Sequence, residues 1–352
     1  MEFLAQYGLF LAKAVTIVVA ILVVLGGAVA LGSRQKRQPG QGHLEVTKLN
    51  DKLDQMKQKL EASILPKEAL KKRLKQEKKE KAKQEKQKAE QPELLEKDER
   101  KRFYVLEFEG DLRASKVSTL REAITSVLAI ARPNDEVVVK LESPGGMVHA
   151  YGLAASQLQR IRDRGIPLTV CVDKVAASGG YMMACIADRI LAAPFAVIGS
   201  IGVVAQIPNF HRLLKKHDID YEVMTAGEYK RTMTIFGENT EKGREKFLQD
   251  LEDTHVLFKE FVAEHRPQVD IDEVSKGEVW YGRRALDQKL VDGVMTSDEY
   301  LFQACEQADV YLVSYVERKS LQQRFAMAAE GASERLLMRL WEGLQDSRLF
   351  KH

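Results

Sequence analysis

Residues 14–31 read AVTIVVAILVVLGGAVAL, eighteen positions with no charge. At about 1.5 Å per residue they span roughly 27 Å, close to the thickness of a bilayer's hydrocarbon layer, so the pattern predicts a single transmembrane helix. Lys13 can snorkel to one interface, and Ala28-Val29-Ala30 resembles a cleavage site, but the run is long for the core of a signal peptide. Residues 33–44 are rich in Gly, Gln, Arg and Pro and read as a linker. Val46, Leu49, Leu53, Met56, Leu60 and Ile64 then recur at three or four residues, predicting an amphipathic helix over 46–65 that Pro66 ends. Residues 67–90 hold eleven Lys or Arg and five Glu, too few apolar positions to bury a core; they suit a solvated helix or a disordered spacer.

The pattern changes at Phe103. YVLEF at 104–108 predicts a strand, and residues 118–131 a helix with Leu120, Ile124, Val127 and Leu128 on one face. VVVKL within 136–141 is a strong strand signal, followed by a helix over 148–162 and a strand LTVCV after Pro167. Residues 178–187 have the composition of a buried helix. Strands are expected at 189–193, within 199–207 after a turn, and at 221–224, with a short helix over 209–217 between the last two. Alternating strands and helices predict an α/β fold with crossover connections. In the tail, from about 313, Leu321, Phe325, Met327, Leu336, Leu337, Leu340, Trp341 and Leu344 are mostly spaced for one helical face, suited to packing on the body or on a neighbouring subunit, or to lying on the membrane.

Charge divides the chain. The net charge of +3 conceals about +9 over residues 1–103 and about −6 over 104–352. An acidic body argues against a nucleic-acid surface, and the basic part, beside the apolar segment, suits anionic lipid. Arg34, Lys36 and Arg37 follow that segment closely and lean towards a cytoplasmic body. Cys171, Cys185 and Cys305 fit neither a zinc site nor a closed disulfide set.

The candidate chemistry lies in small-residue turns. Ser143-Pro144-Gly145-Gly146 ends a strand and precedes a helix, where successive backbone N–H groups can converge on one oxygen. It is also an ordinary tight turn, and it lacks the Gly-x-x-x-x-Gly-Lys of a phosphate loop. Ala177-Ser178-Gly179-Gly180-Tyr181 puts a serine at a strand–helix junction, where it can cap the helix or act as a nucleophile with the Gly179 N–H beside the oxyanion. A serine nucleophile needs a base. Of the seven histidines only His149, after the glycine turn, is attractive by position; His255 and His265 fall on a long polar helix. A lysine serves if burial lowers its pKa from near 10.4 to about 7–8, at a cost of about 4 kcal/mol. Lys230, in Gly227-Glu228-Tyr229-Lys230, and Lys174, between a strand and Ser178, are the candidates. Ser200, in Gly199-Ser200-Ile201-Gly202-Val203, can fix a lysine amine or simply complete a turn.

Taken in order, these motifs, with Val279-Trp280-Tyr281-Gly282-Arg283-Arg284-Ala285 and Leu290-Val291-Asp292-Gly293 beyond them, resemble the signal peptide peptidase A family of serine–lysine proteases, nearest its inner-membrane members. The resemblance implies a ClpP/crotonase-like superhelix of βαβ units behind an N-terminal transmembrane helix. It implies Ser178 as nucleophile, Lys230 as base, Ser200 as the hydroxyl that orients the lysine, and the Gly145 and Gly179 backbones as oxyanion donors. It further implies peptide or unfolded-protein substrates, membrane lipid and further copies of the chain as partners, and no metal or other cofactor. The expected organisation is a membrane anchor over 1–32, a charged linker over 33–102, a protease domain over 103–312 and a helical extension over 313–352. The family places such a body outside the cytoplasm, at the periplasmic side of a bacterial inner membrane, against the lean of the charges after residue 31. Two rivals stand beside this reading: a crotonase-type acyl-CoA enzyme, and a non-catalytic membrane scaffold on a protease-like fold.

Overall fold

The computed structural model describes residues 42–66 and 100–317, with positions 68, 75 and 79 between them. Leu44–Tyr315 forms one compact unit; Met1–His43 with Val316–His352 forms a second, which falls almost wholly outside the described residues.

Ten strands and nine helices are described. Strand β1 (His43–Lys48) leads directly into helix α1 (Leu49–Ile64). The body runs β2 (Arg102–Glu109), α2 (Val117–Leu128), β3 (Glu136–Glu142), α3 (Val148–Arg162), β4 (Leu168–Val172), β5 (Val175–Ala177), α4 (Gly179–Ala184), β6 (Arg189–Ala192), β7 (Val197–Gly199) and α5 (His211–Lys216). It continues with α6 (Glu241–His265), α7 (Ile271–Val274), β8 (Val279–Tyr281), α8 (Gly282–Asp287), β9 (Gly293–Val294), α9 (Ser297–Gln307) and β10 (Asp309–Val316).

Seven strands form one sheet in the order β1-β10-β2-β3-β4-β6-β9, with parallel pairing from β10 through β9. A second, mixed sheet, β5-β7-β8, pairs β5 parallel and β8 antiparallel to β7. In β3 the side-chain alternation feeds two separate cores: Val137, Val139 and Leu141 enter the larger, and Val138 the smaller with Val105, Cys171 and Leu191. Burial on both faces is why these strands read as continuous apolar runs rather than alternating ones. Helices α2, α3 and α4 cover the larger face, with Ile124, Leu158 and Met183 fully buried.

The expected ClpP/crotonase-like superhelix headed by a transmembrane helix is corrected to an α/β fold of two sheets: among the described residues no helix is long and apolar enough to cross a membrane. The longest, α6, has 25 residues but alternates charges with apolar positions and buries only Phe258 and Val262, whereas a span needs about 20 mostly apolar residues. The segment that motivated the anchor, residues 14–31, lies outside the described residues. The membrane anchor, the lipid partner and the single-pass inner-membrane placement expected from it are corrected on the same ground: no described helix supplies a span. The apolar tail positions from Leu321 onward also lie outside the described residues.

Candidate active site

The small sheet leads into two serines, with Ser178 after β5 and Ser200 after β7. Strand β5 is stitched to the end of β3 by Ser143 N–H to the Val175 carbonyl (2.8 Å) and Ala177 N–H to the Ser143 carbonyl (3.0 Å). It ends at Ser178, which turns at φ 52° and ψ −120° before α4 begins. A non-glycine residue at positive φ is strained. What holds Ser178 there is its own N–H, which donates to the Gly199 carbonyl at 2.7 Å. Ser200, one residue further along that chain, is also at positive φ (53°), fixed by donation from its N–H to the Glu278 carbonyl at 2.7 Å. Both serines are thus set by backbone bonds to neighbouring segments.

The glycine turn packs against Ser178. Gly145 has φ +91°, and a methyl there would fall 2.7 Å from Gly179 N and from the Ala177 carbonyl oxygen, so only glycine fits. Gly179 is enclosed in turn, for a methyl on it would fall 2.5 Å from Tyr151 Cγ.

These parts open into a cavity of about 670 Å³, lined in part by Pro144, Gly145, Gly146, Ser178, Ser200 and His255. The structure thus brings together Ser178, Ser200 and Gly145, with Gly179 directly behind Ser178. It does not bring Lys230 into the lining. That residue is exposed, in a turn closed by its N–H to the Gly227 carbonyl at 3.2 Å. Lys174 is exposed as well and pairs with Glu142 at 2.9 Å, and His149 is exposed just beyond the glycine turn.

Two titratable side chains that sequence reasoning passed over do line the cavity. His255 comes from α6, and its Nε2 lies 2.9 Å from the Ser275 carbonyl. A carbonyl only accepts, so that nitrogen carries the proton. Lys276 lines the cavity too, but its hydrogen bond to Glu273 at 3.0 Å holds its pKa above the ordinary lysine value. A lysine kept charged is no general base at neutral pH. Nothing in the local sequence marks His255, because a polar helix with one histidine looks alike whether or not a cavity opens beside it.

Comparison with known proteins gives the family. The profile of the peptidase family S49 N-terminal region matches residues 2–158, and that of peptidase family S49 matches residues 160–311. A probable protease SohB of Haemophilus influenzae is 51% identical over 96% of this chain and 96% of its own. Two probable SohB proteases of Buchnera aphidicola, from the Acyrthosiphon pisum and Schlechtendalia chinensis subspecies, are 48% and 47% identical, over 96% and 86% of this chain and 97% and 99% of their own. An α/β body with this ancestry is that of a serine protease. The chain belongs to peptidase family S49 and is of the SohB type.

Proposed function

We propose that the chain is a serine endopeptidase acting on extended or unfolded polypeptide, with Ser178 as nucleophile and Lys230 as general base. One observation carries the reading: the forced turn at Ser178, set between the Gly145 turn and Ser200 and facing a single cavity. Strain of this kind persists only where the surroundings over-determine it, and it gathers at catalytic sites. The neutral lysine amine takes the Ser178 hydroxyl proton as Oγ attacks the peptide carbonyl. The Gly179 N–H receives the developing oxyanion, the Gly145 N–H being bonded to Ser143 Oγ at 3.1 Å, and Ser200 orients the amine. The same lysine returns the proton to the leaving amine and then activates the water that clears the acyl-enzyme.

A lysine gives up its proton only when buried, and Lys230 is exposed in a single copy. The segment around it is also exposed and apolar, with Val204 at 80% and Met224 at 86% exposure and Phe210, Tyr221 and Phe236 packed on one another. Covering that surface with a second copy would desolvate the lysine. The reading therefore includes assembly, with the base of one subunit serving the serine of another.

The test is labelling by a fluorophosphonate together with cleavage of a quenched fluorescent peptide. Ser178→Ala is expected to lose both, and Lys230→Ala to lose about a hundredfold or more in kcat with the fold intact. Full turnover by Ser178→Ala would end the assignment. The acyl-CoA rival needs neither side chain, and would show a thioesterase or hydratase activity indifferent to both substitutions. His255→Ala is expected to keep its activity, since its Nε2 proton is committed to a carbonyl.

A further inference from the structure

Behind the glycine turn runs a chain of hydroxyls that the mechanism above does not use. The Gly145 N–H donates to Ser143 Oγ at 3.1 Å, Ser143 Oγ lies 2.5 Å from the Tyr151 hydroxyl, and that hydroxyl donates to the Asp111 carbonyl at 2.8 Å. A tyrosine hydroxyl has one proton. Given to the Asp111 carbonyl, it leaves the Ser143 hydroxyl to donate to the Tyr151 oxygen, and the Ser143 lone pairs to accept from Gly145. That ordering satisfies all three contacts, from amide through serine and tyrosine to carbonyl, each group polarising the next.

Both hydroxyl-bearing residues are fully buried. Burial also pushes the Tyr151 phenol above its ordinary pKa, so it keeps the proton the chain requires. Tyr151 reaches both sides of the site: its hydroxyl bonds Ser143 Oγ, and its ring sits where a Gly179 side chain would be. Ser143, in turn, is anchored by its backbone to β5, the strand that delivers Ser178. A second tie, the Met147 N–H to the Leu112 carbonyl at 2.9 Å, holds the far side of the turn to the loop after β2.

We propose that Ser143 and Tyr151 are positioning residues for the oxyanion pocket: the Ser143 hydroxyl sets how the Gly145 peptide faces Ser178, and Tyr151 holds that hydroxyl in place. The inference rests on the serine-nucleophile reading and deepens it. The Gly179 N–H, packed between the Gly145 turn and the Tyr151 ring, is fixed before the reaction and needs no reorganisation when charge develops, so loosening that packing lowers kcat more than it weakens substrate binding.

Tyr151→Phe removes one hydroxyl and keeps the ring against Gly179, and Ser143→Ala removes the hub of the chain. Each is measured for peptide hydrolysis, for fluorophosphonate labelling of Ser178 and for inhibition by a peptide aldehyde, whose hemiacetal oxygen occupies the oxyanion position. Both are expected to lose about tenfold or more in kcat with KM held within about twofold, and to lose aldehyde affinity in proportion to kcat. Should Ser143→Ala fail to fold, Tyr151→Phe decides alone. Wild-type kcat, or a change confined to KM, overturns the proposal while labelling of Ser178 in the wild type leaves the serine protease reading standing. No labelling of Ser178 in the wild type overturns both.

Discussion

Ser178 holds a backbone conformation that costs a serine about 1–3 kcal/mol, and the bond from its N–H to the Gly199 carbonyl is what keeps it there. Gly145 is the opposite case, since its φ of +91° costs glycine little and any other residue much. Gly145→Ala is therefore expected to destabilise the fold by about 1–3 kcal/mol in urea denaturation and to abolish peptide cleavage, because the methyl pushes against Gly179 N. Activity retained at the wild-type level would show that the turn does not face the serine. The thiols give a second residue-scale prediction. Burial pushes the Cys171 thiol up to about 12 and also raises that of Cys185. The thiolate is the reactive form, so at pH 8 iodoacetamide should modify neither in the native protein and all three cysteines after denaturation. The folded pKa lies above the unfolded value near 8.5. The stability these protons contribute is thus full below about pH 8.5 and declines as pH rises from there towards 12.

Helix α6 and strand β9 meet through one ion pair. Arg266, just past the helix, donates to both Asp292 carboxylate oxygens at 2.8 Å and to the Lys289 carbonyl at 3.1 Å. Asp292 also accepts the Ile190 N–H at 2.7 Å, so the carboxylate joins α6 to the edge of the large sheet. The arginine side chain is 3% exposed and the aspartate 31%. Removing one member strands the other, and Arg266→Met should cost about 3 kcal/mol in chemical denaturation, the low end for a buried pair because Asp292 keeps some water. A loss under about 1 kcal/mol would show that the pair is no more than a surface contact. Elements predicted from periodicity fared according to their partners. The helix expected over 148–162 is α3, and LTVCV is β4. The turn and strand expected within 199–207 give no strand beyond Gly199, where β7 ends, and 221–224 forms none, although both stretches are apolar. A strand requires a neighbour to accept its hydrogen bonds, and local composition does not say whether one is present. The same limit hid β5, β7 and β8, three residues each, which exist because they pair with one another.

For the molecule as a whole, the proposed separation of serine and lysine between copies makes a specific prediction. Ser178→Ala and Lys230→Ala, each inactive alone, should recover about a quarter of wild-type turnover when mixed as equal parts and allowed to reassemble, since some interfaces then pair an intact serine with an intact lysine. No recovery, in a mixture shown to exchange subunits, would mean that both groups act within one chain. The sequence by itself determined the α/β alternation, the strands and helices that the larger core buries on a regular period, and the short motifs around Ser143, Ser178 and Ser200, because each is written in consecutive residues. It also pointed to a membrane-spanning helix, which no described helix supplies. Only the tertiary structure decided that Gly145 lies on Gly179, that Tyr151 reaches Asp111 and that His255 faces the cavity while Lys230 stands in solvent. Those relations join residues far apart along the chain, and their distances follow from how sheets and helices pack, which no local spacing encodes.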